Sequence, residues 1–260
     1  MDLGIKDKHA LVCGASRGIG YAAALRLARE GADLTLVARS RETLAQAAAA
    51  IRADTGRAVN WVSADTATMD GRLRVISSCA ETDILVTHSG IPQQFAQFQT
   101  LQRDDWLWWF EAHFFSALEL IRAYLPGMKQ RKFGRVVNVS ANFIKFPQVN
   151  AGHSHAARLA LAGAIAAVAR EVVRHNVTIN SVLPGLIDTQ ALREALRERA
   201  ARRNVPYATV EAEVLKGCPA GRIADPQEAG DLIAMLASAQ MGFLTCQNIV
   251  NDGGSYPGLF

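Results

Sequence analysis

Two groups of residues in this 260-residue chain have types and spacings suited to chemistry. The first is "CGASRGIG" at 13–20, where Gly14, Gly18 and Gly20 follow the spacing GxxxGxG and enclose Ser16, Arg17 and Ile19. Glycines let a backbone turn tightly and approach a pyrophosphate, and the amides at a helix start present a positive dipole end to it. Such a loop takes a dinucleotide when a strand leads in and a helix leads out. The second group is "HSHAAR" at 153–158, where Ser154 and Arg158 stand four residues apart on one helix face and His153 and His155 face apart.

A third feature sets the expected nucleotide. The segment "DLTLVARS" at 33–40 ends in Arg39 instead of an acidic residue. An acid there would bind a ribose 2′-hydroxyl, whereas Arg39 with Ser16 and Arg17 suits a 2′-phosphate. NADP(H) is expected over NAD(H).

The elements that must position these residues are legible as an alternation. Apolar runs suited to buried strands start at 10, 34, 59, 83, 135, 178 and 247. Helical spacing fills the gaps, as in "GYAAALRLARE", "RETLAQAAAAIRA", "DDWLWWFEAHFFSALELIRAYL" and "PQEAGDLIAMLAS". Strand and helix alternating throughout imply a single α/β domain over 1–260: a doubly wound, Rossmann-type, mostly parallel seven-stranded sheet with helices on both faces. The rhythm breaks at 188–221, where two amphipathic pieces replace one crossover and are expected to form a lid over the carboxyl edge of the sheet, where such folds bind ligands.

Composition narrows the class. Half the residues are hydrophobic and a fifth are charged, and no apolar run reaches the roughly 18 residues that span a bilayer. A soluble cytoplasmic protein without a membrane segment is expected, because the start "MDLGIKDK" lacks the apolar stretch of an export signal. Cys13, Cys79, Cys218 and Cys246 lie far apart, with neither a disulfide frame nor a metal site in their spacing. The net charge of +4 concentrates in "REALRERAARR", where glutamates alternate with arginines; that is a solvated helix face and no nucleic-acid surface.

Taken in order, "CGASRGIG" at 13, "SAD" at 63, "THSG" at 87, "GRVVNVSA" at 134, the helix beginning "HSHAAR", "NSVLPGLIDT" at 180 and "NDGG" at 251 resemble the short-chain dehydrogenase/reductase family across the chain, in particular its β-ketoacyl-carrier-protein-reductase-like branch. The resemblance implies that Asp65 contacts the adenine and that "THSG", with Ser89 and Gly90, passes the adenosine ribose. It further implies that Pro184, Gly185 and Thr189 flank the nicotinamide carboxamide.

The family's chemistry uses an asparagine, a serine, a tyrosine and a lysine. The phenol gives a proton to a carbonyl as hydride arrives, the lysine lowers its pKa, and the serine orients the carbonyl. Aligning "RLALAG" with the family's "KxALxG" sets Arg158 at the lysine and Ser154 at the tyrosine. Counting back 13 residues sets Ala141 at the serine, with Ser140 beside it, and a further 28 sets His113 at the asparagine. All four positions have changed. A serine hydroxyl is shorter and far less acidic than a phenol, and arginine relays no proton at neutral pH.

Three readings follow. In one, the chain is an NADP(H)-dependent oxidoreductase on a carbonyl or alcohol substrate, with water, His113, His153 or His155 supplying the proton. In another, it binds nucleotide without redox work, as a sensor or partner subunit. In a third, Ser154 and Arg158 hold an anionic substrate for non-redox chemistry. The pair is similar to that of a divergent, reductase-like group within the family. The segments "IPQQFAQFQ" at 91 and "FIKFPQ" at 143 point to a small apolar or aromatic substrate. Small residues Ala157, Ala160, Ala164 and Ala167 on one helix face, with the family's habit, imply a homodimer or homotetramer.

Overall fold

In the computed structural model, which describes residues 2–90 and 95–259, every apolar run named above is a strand. They are β1 (His9–Cys13), β2 (Asp33–Ala38), β3 (Val59–Ser63), β4 (Ile84–Thr87), β5 (Gly134–Val139), β6 (Val177–Pro184) and β7 (Asn248–Asn251). They form one sheet in the order β3-β2-β1-β4-β5-β6-β7, and every pairing is parallel, so "mostly parallel" becomes wholly parallel. The edge strands β3 and β7 are half-buried and not sealed on both faces, because each has a neighbour on one side only.

Alternation along the strands builds two cores. Ala10 and Val12 of β1 join Leu34 and Leu36 of β2 under α1 (Gly18–Arg29) and α2 (Arg41–Thr55). Their neighbours Leu11, Cys13 and Val37 face the other way, under the later helices. That second layer holds α3 (Met69–Ser78), α4 (Arg103–Phe110), α5 (Ser116–Arg131) and α6 (Gly152–Val172). Beyond β6 come α7 (Gln190–Arg203) and α8 (Tyr207–Lys216), the two pieces expected at 188–221, and then α9 (Pro226–Leu236), which packs back beside α1. Strand order reverses between β1 and β4, and the crevice at their carboxyl ends is where doubly wound sheets take ligands.

The run expected as one helix over 104–125 is interrupted. Glu111–Phe115 forms a π turn between α4 and α5, and α5 continues past Pro126 to Arg131. A π turn adds a residue to the helical repeat and re-aims the side chains on it; here that residue set includes His113.

Candidate functional site

The glycine loop stands where strand order reverses. Gly14 and Gly18 have φ of +66° and +59°, a left-handed backbone that other residues adopt at a cost. A Cβ on Gly20 would lie 2.3 Å from the Gly14 carbonyl oxygen, so α1 closes on the strand only because that side chain is absent. A Cβ on Gly14 would meet His88 Cδ2 at 2.7 Å.

Beside the loop opens a cleft of ≈ 490 Å³. Of the expected nucleotide ligands, Gly14, Ser16, Arg17, Gly18, Ile19, Arg39, Asp65, Ser89, Gly90 and Thr189 line it, whereas Gly20, Pro184 and Gly185 do not. Gly20 serves the helix contact, and Gly185 lies so close to Asp252 that a Cβ would come within 2.5 Å of the Asp252 Cβ. Arg39 is exposed at the end of β2, next to Ser40 and Thr43, and its guanidinium makes no ion pair with a described residue. Arg17 donates to the Gln190 side chain, and Thr189 caps α7 by accepting from Leu192 N at 3.2 Å. The cradle of glycines and the unpaired cation suit a dinucleotide bearing an extra phosphate.

At its inner end the cleft meets a small polar cavity of ≈ 10 Å³; Thr66, His88 and Ser89 line both. His113, Ser140 and Arg158 line the cavity with them. Arg158 Nε donates to Ser154 Oγ at 3.2 Å, and Arg158 Nη2 approaches His113 Nε2 at 3.4 Å. A guanidinium only donates, so His113 Nε2 accepts, and the ring proton rests on Nδ1, which lies 2.9 Å from Ser89 Oγ. Trp109 stacks on the His113 ring at 4.9 Å and also packs against His153. His113, Arg158, Ser154 and Ser89 thus form one connected set, with Ser140 beside it.

Electrostatics fixes the protonation of this set. Burial, reinforced by the Arg158 charge, holds His113 well below its usual pKa and brings His88 down to about 4. Burial also lowers Arg158, to about 10, which leaves it a cation at neutral pH.

The other sequence candidates fall elsewhere. His155, expected as a proton donor if it tilted toward the cleft, instead accepts from Gln148 N at 3.2 Å through Nε2 and lies against Phe143. It lines neither the cleft nor the cavity, and burial lowers its pKa as well. His153 is buried against Trp106 and Trp109. Ala141 is extended and begins the turn Asn142–Ile144. Of the expected substrate segments, residues 91–94 lie outside the described residues; Phe143 meets Phe146 edge-on, and Phe146 stacks on Tyr256.

Two site residues carry no sequence spacing that singles them out. His88 stands where the family's "THSG" equivalent has asparagine, and that departure was the available signal. Trp109 sits four residues before His113 in "WLWWFEAH", a helical interval that the aromatic run conceals. Among the described residues no group of His, Cys, Asp and Glu could hold a metal ion, and no helix is long and apolar enough to cross a membrane.

A parallel doubly wound sheet with a glycine loop at its switch point, joined to a polar set from the loop after β4, the π turn and α6, defines a dinucleotide-binding oxidoreductase fold. The chain belongs to the short chain dehydrogenase family, whose pattern matches residues 8–200. It is 32% identical over 257 residues to the 3-oxoacyl-acyl-carrier-protein reductase FabG of Vibrio cholerae, covering 98% of this chain and 99% of that one. It is 30% identical over 252 residues to the acetoacetyl-CoA reductase of Shinella zoogloeoides, covering 96% and 99%. Among solved structures, the L-sorbose reductase of Gluconobacter frateurii, complexed with NADPH and L-sorbose, superposes with a TM-score of 0.93 at 28% identity and covers 100% of both chains.

Proposed function

We propose that this chain is an NADP(H)-dependent oxidoreductase that interconverts a small carbonyl compound and its alcohol through an atypical site built on Ser154, Arg158, His113 and Ser140. The observation that carries this reading is the junction of two parts: a dinucleotide-sized cleft ends at His88 and Ser89, and the hydrogen-bonded set Ser89, His113, Arg158 and Ser154 begins there. Arg39 favours the 2′-phosphate, and the NADPH in the sorbose reductase complex supports the same choice.

Bound in the cleft, NADPH supplies a hydride to the carbonyl carbon. The Ser154 oxygen accepts from Arg158 Nε, and in this reading that pair faces the substrate oxygen. The fixed charge of Arg158 stabilises negative charge as it develops on that oxygen. His113, held neutral in one tautomer, orients Arg158 and delivers no proton itself, so the net proton comes from solvent. Asp65, Ser89, Gly90 and Thr189, which line the cleft, take the nucleotide roles that the family resemblance implies. An apolar or aromatic substrate body is proposed from the phenylalanines around 143, which pack on one another and on Tyr256.

A second reading, nucleotide binding without turnover, is favoured by one observation: both histidines that line the cavity with Arg158, His88 and His113, are held below the usual histidine pKa by burial. NADPH titration followed by tryptophan fluorescence, then NADPH oxidation across a panel of aldehydes and ketones, separates the two. Binding with turnover is the expected result. Binding without turnover across the panel selects the second reading, and no binding ends both.

Self-association is part of the proposal. Leu107, Trp108 and Leu159 are each about half exposed on α4 and α6, and Ala164 and Ala167 leave the outer side of α6 low. A dimer or tetramer is the expected light-scattering mass; a single-subunit mass contradicts it.

A further inference from the structure

The carboxyl ends of four neighbouring strands stand in one row, and the row orders the parts of a dinucleotide. From β2 through β1 and β4 to β5, the residues that directly follow each strand are Arg39, Gly14, His88 and Ser140. Neighbouring strands lie about 4.8 Å apart, so consecutive parts of an extended ligand fall over consecutive strands. The glycine loop after β1 suits the pyrophosphate, and Arg39 after β2 suits the 2′-phosphate. The adenosine half is then committed to the β2 side of the loop. Connectivity puts the other half on the β4 side, and the unit next to the pyrophosphate there is the nicotinamide ribose.

His88 stands at that station. Its ring is seated against the glycine loop, since a Cβ on Gly14 would come within 2.7 Å of the His88 Cδ2. It is half-buried and forms part of the wall of the ≈ 490 Å³ cleft. One ring N–H turns to the carbonyl of Val139, the last residue of β5. Burial and the Arg158 charge keep the ring neutral at pH 7, so its second nitrogen carries a lone pair and no proton. No donor among the described residues is hydrogen-bonded to that nitrogen. His113 differs, because both of its ring nitrogens are used, by Arg158 and by Ser89. An acceptor left over on the wall of a ligand cleft calls for a donor that the ligand brings. Phosphate oxygens only accept; the hydroxyls of a ribose donate.

We propose that His88 binds the nicotinamide half of the cofactor, its second ring nitrogen accepting a hydrogen bond from a hydroxyl of the nicotinamide ribose. This rests on the oxidoreductase reading above and adds to it a residue that positions the cofactor. The next station in the row is Ser140, beside the set built on Arg158, so a sugar held at His88 directs the nicotinamide toward that set. Ser89 and Thr66, which line the cleft and the cavity with His88, keep their own partners in this arrangement: Ser89 Oγ stays with His113, and the Thr66 carbonyl stays with Arg72.

The test uses three ligands, each shorter than the last: NADPH, then 2′-phospho-ADP-ribose, which lacks the nicotinamide, then 2′-phospho-ADP, which lacks the ribose as well. Each is titrated by calorimetry at neutral pH into the full natural chain and into His88→Leu. The variant is expected to bind the first two about three- to tenfold more weakly, the loss of one neutral hydrogen bond, and 2′-phospho-ADP within about twofold of the natural chain. A part in the fold of the glycine loop alone would weaken all three equally. Equal weakening, weakening of NADPH alone, or unchanged affinity for all three overturns the proposal. If His88→Leu does not fold, His88→Ala, which adds no atom, is read against the same ligands. The two readings fail separately: any of those three patterns on a natural chain that binds NADPH removes the ribose contact and keeps the nucleotide site, whereas a natural chain that does not bind NADPH removes the oxidoreductase reading and this contact with it.

Discussion

Arg158 Nη2 lies 3.4 Å from His113 Nε2, and this contact reinforces the burial that keeps the His113 ring neutral. A second positive charge on the ring would face the guanidinium directly in a buried setting, so the ring stays neutral and its one proton points to Ser89. Burial and the same cation together bring His88 down to about 4.

Stability should therefore fall with acid. An unfolded chain protonates these histidines near pH 6.5, whereas the folded chain does not take up the His88 proton until about pH 4. Below pH 6.5 the unfolded state binds more protons, so stability is intact above that pH, declines as pH drops from 6.5 to 4, and levels off for His88 below. Melting curves from pH 8 to 4.5 are expected to show this decline. His88→Asn, which removes one such group, is expected to flatten it; an equally steep decline in the variant contradicts the account.

Arg39 should discriminate between the two nicotinamide dinucleotides. Its guanidinium is exposed at the mouth of the cleft and makes no ion pair with a described residue, so it is available to a 2′-phosphate and does little for the fold. Arg39→Ala is expected to weaken NADPH binding by about 10- to 100-fold, the loss of one charge-assisted contact of roughly 1.5–3 kcal/mol, with NADH affinity and melting temperature unchanged. Parallel loss for both nucleotides would place the arginine elsewhere in the binding event.

The sheet and the glycine loop were legible in the sequence, and the reasons are local. All seven strands were visible because buried parallel strands are short apolar runs, and the glycine loop because Gly14, Gly18 and Gly20 answer steric demands that other residues would violate. Helical spacing did locate Ser154 and Arg158 on one face. The π turn was not legible, since nothing in "WFEAHFFSAL" distinguishes an added residue from a regular repeat, and it is this turn that presents His113. His155 was misdirected because one histidine on a helix looks like another until its partner, the Gln148 amide, is known.

Arg72 should hold the π turn in place. It joins Glu111, the first residue of that turn, to the carbonyl of Thr66, which lines the nucleotide cleft. Both carboxylates are partly exposed, which reduces their contribution, but the Thr66 carbonyl would lose its buried donor. Arg72→Met is expected to cost about 2–3 kcal/mol, or roughly 5–10 °C in melting temperature, and to weaken NADPH binding. Arg72→Lys, which keeps the charge but loses the fork, should fall between. An unchanged melting temperature in Arg72→Met would show that the turn is held by packing alone.

Restoring the family's residues should not restore its chemistry. In Ala141→Ser, Ser154→Tyr, Arg158→Lys, the first change is easy, because position 141 is extended backbone that any residue adopts. The second is not: Ser154 is 1% exposed, and the ring of a tyrosine there must displace its neighbours. Overpacking of this kind costs about 1–3 kcal/mol. The third removes the donor that Ser154 and His113 share, while His113 still occupies the place of an asparagine. The triple variant is expected to melt lower than the natural chain and to reduce acetoacetyl-CoA no faster. A clear gain in that rate would mean the pocket retains room for a phenol, and that Ser154 and Arg158 are losses from the usual relay and not a site packed around its own chemistry.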